Sequence, residues 1–207
     1  CEVSDFKRCL NLRDGLYTRS MTWTTQAGRC VTIHFQRFTS MKRPNVGCQR
    51  IIFEPENFSG DITLKMGLDF SPIHYAWERN VWDTQYKTER NSTHAILAQA
   101  PKSKHQVFSS CLFQCPQAIE SEVVEREKFC GRVMTIRLEE KTRTVCDKMV
   151  CNLTERNPEI TPDAFWARAL TDAEQHLQDL TWDSALAEHQ GYWHDIWAQS
   201  DITIEED

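Results

Sequence analysis

Short runs of alternating apolar and polar residues dominate the first three-quarters of the chain. "LYTRSMTWT" (16–24) alternates, and "CVTIHFQRF" (30–38) sets Val31, Ile33 and Phe35 against Thr32, His34 and Gln36. "DITLKMGLD" (61–69) places Ile62, Leu64, Met66 and Leu68 on one side, and "RVMTIRLEE" (132–140) does the same with Met134, Ile136 and Leu138. Successive side chains of an extended chain point to opposite faces, so each run predicts a strand with one buried side. "HAILAQAP" (94–101) and "KHQVFSSCLF" (104–113) predict further strands with less regular alternation. An Asp-Gly turn signal, "RDG" at 13–15, precedes the first run. No helical pattern separates these strands, which predicts a mainly β fold, an antiparallel β-sandwich or barrel.

The period changes near residue 160. Thr161 is placed to cap a helix whose first position is Pro162, and Phe165, Trp166, Ala169, Leu170, Ala173 and Leu177 form its apolar face. A second helix from about Thr181 carries Trp182, Leu186, His189, Trp193 and Ile196 at spacings of four, three, four and three, with Trp197 adjoining. Such a face requires a surface to pack on. The closing "DITIEED" (201–207) reads as extended. The organisation expected is a β domain over 1–160 and a helical segment over 161–207.

Composition narrows the classes. A net charge of −6, with acid and base interspersed, argues against a nucleic-acid partner, and "MKRP" at 41–44 is a solvated loop. No run reaches the roughly eighteen apolar residues of a membrane helix, and "CEVSDFKRCL" has neither the basic start nor the apolar stretch of a signal peptide. Because Cys1 is not a methionine, the natural start of translation is expected to lie upstream. The nine cysteines are an odd number without knuckle spacing: Cys111 and Cys115 are four apart, Cys146 and Cys151 five. They are read as reduced core thiols of a cytoplasmic protein rather than as disulfides or metal ligands.

Motifs that carry chemistry are missing from the sequence. No phosphate-cradling glycine loop, nucleophile elbow or HExxH helix occurs. His189 and His194 are five apart, off the i, i+4 spacing of a helical metal site, so His189 is read as a satisfied histidine on a packing face. Glu139 and Glu140, adjacent on an expected strand, would point to opposite faces and cannot flank one glycosidic bond. Glu205 and Glu206 are likewise read as surface charge. Asn57, Asn91 and Asn152 open N-x-S/T triplets that a secreted protein could glycosylate. Trp166, Trp182, Trp193 and Trp197 belong to the helical segment and packing, whereas Trp77 and Trp82 in "YAWERNVWDT" sit on a loop or edge and are the candidates for sugar contact.

Several blocks resemble a known family. "FKRCLNLRDG" (Phe6–Gly15), "RFTS" (Arg37–Ser40), "PENFSGDI" (Pro55–Ile62) and "LDF" (Leu68–Phe70) are similar, in order and spacing, to the N-terminal domain of glycoside hydrolase family 65. His189, Trp193, Trp197, Asp201, Ile202, Ile204 and Asp207 match that family's linker in register. Asn11, Phe70 and Glu206 depart from its pattern at turn positions.

The family comprises maltose, trehalose, kojibiose and nigerose phosphorylases and acid trehalases. The resemblance implies a supersandwich related to sugar mutarotases, with its first strands before Cys1, and linker helices leading to an (α/α)6 barrel. Catalytic acid and phosphate loop belong to that barrel, so no catalytic, metal or cofactor residue is assigned here. Trp182, Leu186, His189, Trp193 and Trp197 would serve interdomain packing. The function implied is that of a non-catalytic domain of an enzyme cleaving α-glucosidic disaccharides by inverting phosphorolysis. Inorganic phosphate is then a co-substrate, the barrel a partner, and a homodimer is compatible. Two other readings stand beside it: a free-standing or decayed carbohydrate-binding module, and a piece of a secreted acid trehalase.

Overall fold

The computed structural model describes residues 1–90 and 93–201. Eleven strands are present among the described residues: β1 (Glu2–Asn11), β2 (Leu16–Thr24), β3 (Cys30–Thr39), β4 (Val46–Pro55), β5 (Gly60–Asp69), β6 (Asp83–Arg90), β7 (Thr93–Gln99), β8 (Gln106–Gln114), β9 (Ala118–Arg126), β10 (Phe129–Leu138) and β11 (Thr144–Glu155). Helices α1 (Pro162–Leu177) and α2 (Trp182–Ser200) follow. All strand pairs are antiparallel. They build an eight-stranded sheet in the order β1-β2-β3-β4-β11-β8-β7-β6 and a three-stranded sheet in the order β5-β10-β9.

The architecture is therefore the expected antiparallel sandwich followed by two helices. The large sheet is the middle layer. On one face, Val31, Ile33, Ile51 and Phe53 meet Met66, Met134, Ile136 and Leu138 of the small sheet. On the other, Phe38, Val46, Cys48, Ala95, Leu97, Phe108, Met149 and Cys151 meet Phe165, Ala169, Ala173 and Leu177 of α1 and Trp182 and Ala185 of α2. Strands covered on both sides must be apolar on both, which is why "RIIFEP" in β4 and "HAILA" in β7 are continuous rather than alternating. β1 is the opposite case, an edge strand with every residue exposed.

Local signals set the helix starts. The Thr161 side chain accepts a hydrogen bond from the Ala164 backbone N–H, with Pro162 in the first turn. Thr181 and Ser184 form a reciprocal capping box at the start of α2.

Two expectations need correction. Cys115 and Cys146 are joined in a disulfide, so the cysteines are not all reduced thiols. The β8–β11 register pairs Gln114 with Asp147, which brings the neighbouring positions 115 and 146 together, and no spacing in the sequence signals that. The other seven cysteines are free, and burial raises Cys48, Cys111 and Cys130 to about 12, leaving them as inert apolar side chains. Glu139 and Glu140 lie past the end of β10 rather than on it, and Glu139 pairs with Arg137 at 3.1 Å. Asn91, Ile202, Ile204, Glu205, Glu206 and Asp207 lie outside the described residues.

Candidate functional site

The residues named for packing on α2 divide along its length. In the first two turns the helix is fastened to the large sheet. Trp182, 1% exposed, meets Phe38 edge-on at 5.1 Å. The Arg50 guanidinium lies 5.0 Å over the Trp182 ring and donates to both Asp147 carboxylate oxygens at 2.7 and 2.8 Å, and to Asp183 at 3.2 Å. Leu186 packs against the same core, partly buried. Arg43, from the β3–β4 turn, grips Glu188 with two 2.9 Å hydrogen bonds, and this holds the Glu188 carboxyl below its ordinary pKa.

His189 is the centre of the attachment. Its ring stacks on Phe38 at 4.6 Å and is 1% exposed. Nδ1 accepts from the Met41 backbone N–H at 3.2 Å, so the proton sits on Nε2, which donates to the Gly15 carbonyl at 3.1 Å. One neutral imidazole thus ties α2 to the β1–β2 turn and the β3–β4 turn together. Burial, the main cause, pushes its pKa below the ordinary value. Gly15 is required there: its φ is +61°, and a Cβ would overlap the Trp193 indole and the His189 ring.

The second half of α2 is less covered. Trp193 and Trp197 stack at 6.0 Å, Trp197 Nε1 donates to the Leu12 carbonyl at 3.1 Å, and His194 lies 3.2 Å from Asp14. Trp193 Nε1 is buried with no hydrogen-bond partner. A cleft of about 410 Å³ opens beside them, lined by Leu12, Arg13, His194, Trp197, Ala198 and Asp201. Its lining contains no serine, threonine, cysteine or lysine. Among the described residues no group of three or more His, Cys, Asp and Glu is arranged to hold a metal ion.

Trp77 and Trp82 also separate. Trp77 is 60% exposed on a single 3-10 turn (Tyr75–Trp77), whereas Trp82 is half-buried and meets Phe70 edge-on at 6.0 Å. The glycosylation triplets fare differently from one another. Asn57 uses its amide at both ends, accepting from Cys30 N–H and donating to the Gly28 carbonyl, each at 2.9 Å. Asn152 lies within β11 and accepts from Ser109 at 2.6 Å. A glycan would attach at Nδ2, which at Asn57 is already engaged with the Gly28 carbonyl, whereas the Asn152 bond uses only its oxygen. Sequence reasoning missed Phe38, which α2 covers, and Arg50 and Asp147, which the β4–β11 register pairs; none of these roles has a local signature.

Comparison with known proteins supplies what this geometry lacks. The family model described as glycosyl hydrolase family 65, N-terminal domain, matches residues 1–196. The chain belongs to glycosyl hydrolase family 65. Kojibiose phosphorylase of Halothermothrix orenii is 21% identical over 98% of the chain and 27% of its own length. Nigerose phosphorylase of Lachnoclostridium phytofermentans is 20% identical over 96% of the chain and 28% of its own length. A solved structure from the human microbiome, assigned as a kojibiose phosphorylase, superposes with a TM-score of 0.82 at 20% identity, over 95% of this chain and 25% of that one. The chain thus spans about a quarter of these family 65 relatives and corresponds to their N-terminal domain. No helix among the described residues is long and apolar enough to cross a membrane.

Proposed function

We propose that this chain is the non-catalytic N-terminal domain of a family 65 enzyme that cleaves α-glucosidic disaccharides by inverting phosphorolysis. The observation that carries the reading is the family match over residues 1–196, together with relatives named as phosphorylases of kojibiose and nigerose. In the intact enzyme, inorganic phosphate would attack the anomeric carbon while a carboxylic acid protonates the leaving oxygen. The acid and the loop that binds phosphate would belong to an (α/α)6 barrel, and this chain would supply the scaffold on which that barrel is seated. The half-covered Trp193–Trp197 end of α2 is its docking face, and a homodimer is compatible with the arrangement.

Cytoplasmic location belongs to the same proposal. Seven free thiols support it, and the Cys115–Cys146 bond counts against it. Mass mapping of alkylated Cys115 and Cys146 in protein from its own cells decides the point.

The activity is tested with two preparations. The 207-residue chain is expected to leave kojibiose, nigerose, maltose and trehalose intact in phosphate buffer. The enzyme containing it is expected to release β-glucose 1-phosphate from one of them, only when phosphate is present. Release of free glucose independent of phosphate would assign hydrolysis instead, and turnover by the 207-residue chain alone would overturn the non-catalytic reading.

A further inference from the structure

The connection from Phe70 to Trp82, between β5 and β6, is longer than the roughly four to six residues usual for such links. It is built as a rigid arm. The Asn80 side-chain amide donates to the Phe70 carbonyl at 2.5 Å and the Pro72 carbonyl at 3.0 Å, while its oxygen accepts from the Trp82 N–H at 3.0 Å and Lys128 Nζ at 2.7 Å. His74 N–H donates to the Arg79 carbonyl at 2.9 Å, and Trp77 N–H to the His74 carbonyl at 3.1 Å, closing the tip. At that tip Ile73 is 67% exposed, Tyr75 97% and Trp77 60%. One face of the Trp77 indole is covered by the His74 ring, stacked at 4.6 Å.

A fastened loop that holds aromatic rings in water has an unfavourable surface and no internal use for it. Magnitude separates two occupants. A fully buried aromatic side chain covers roughly 150–250 Å², so this tip falls short of the roughly 800 Å² per partner of a stable protein interface. It matches a single sugar ring. A pyranose has one apolar C–H face that lies flat on an indole or phenol, while its hydroxyls need polar partners, and Glu78 and Arg79 follow Trp77 directly in the sequence. Because the backbone of the arm is already fastened, binding must chiefly fix the Tyr75 side chain, so little backbone entropy is lost.

We propose that Trp77 and Tyr75 form a stacking platform for a glucopyranosyl ring, with Trp82 as the structural base of the arm. The choice of glucosyl ligand rests on the reading that the intact enzyme acts on α-glucosidic disaccharides. The ring could be that of a free disaccharide or the end of a longer α-glucan.

The test uses the indole N–H resonances of the ¹⁵N-labelled 207-residue chain, one from each of its seven tryptophans. The resonance that disappears in Trp77→Ala is thereby identified. It is expected to shift saturably, at millimolar concentration, on titration with kojibiose, maltose or maltohexaose. Tyr75→Ala is expected to weaken that binding at least threefold, and Trp82→Phe to leave it unchanged. Tighter binding of maltohexaose than of the disaccharides assigns the glucan source, and equal binding the free disaccharide. No saturable shift with any of the three sugars, the same shift with sorbitol, or shifts elsewhere that persist in Trp77→Ala would overturn the proposal. The titration reads binding by this chain and the phosphate assay reads turnover, so either can fail without the other.

Discussion

Trp182 and Trp77 are the same residue under opposite conditions. Trp182 is 1% exposed, wedged between Phe38 and the Arg50 guanidinium on the helix-covered face of the large sheet. Trp77 is 60% exposed on an arm whose backbone is tied down while its tip faces water. The first is surrounded by groups that need it; the second is held up by groups that do not. An aromatic side chain contributes to stability through what it excludes from water, so only the first is a structural residue.

The comparison breaks most sharply by truncation. Trp182→Ala is expected to cost about 3–5 kcal/mol, the range for emptying a large buried aromatic site. Urea unfolding of the 207-residue chain measures it, and a loss under 1 kcal/mol would mean that α2 is not seated as described. Arg50→Met comes next. It removes the cation over Trp182 and leaves Asp147, whose side chain is 9% exposed, without its partner. Because Arg50 itself keeps some access to water, the expected loss is about 2–3 kcal/mol, less than for a fully buried pair.

Acid titration sharpens the picture further. His189 and His94 are both buried and held neutral, with pKa values pushed below the ordinary histidine value by burial. The unfolded chain therefore takes up protons first as pH falls. Stability is fully present above about pH 6.5 and declines as pH drops through that value. His189→Gln is expected to flatten part of this decline, with the remainder due to His94. A urea midpoint independent of pH between 7.5 and 5.5 in the unaltered protein would refute the assignment. The smallest effect is reserved for the arm: Trp77→Ala is expected to change stability by no more than about 0.5 kcal/mol, which circular dichroism melts can bound.

Much of the fold was legible because its signals are local. β3, β5 and β10 alternate because each has one face in the core. α1 and α2 carry caps at Thr161 and Thr181 and stripes at helical spacing. β4 and the middle of β7 were not readable by alternation, since layers on both sides make their runs apolar throughout. β1 and β9 were unreadable for the converse reason: as exposed edge strands they have no buried face to imprint a pattern. Family membership was legible only in the order of motifs across the whole chain, because no single block of neighbouring residues is specific enough to signal it.

What the sequence by itself determined is the set of properties written over a few neighbouring residues: the Asp-Gly turn, the two helix starts, the alternating strands and the aromatic stripe of α2. The tertiary structure alone decided the pairings between distant residues. It set Cys146 against Cys115 through the β8–β11 register, Arg50 against Asp147 through β4–β11, and His189 between the Gly15 carbonyl and the Met41 N–H. It also decided which tryptophans face water. Periodicity records which side of an element is apolar; only the packing of layers decides whether anything covers that side.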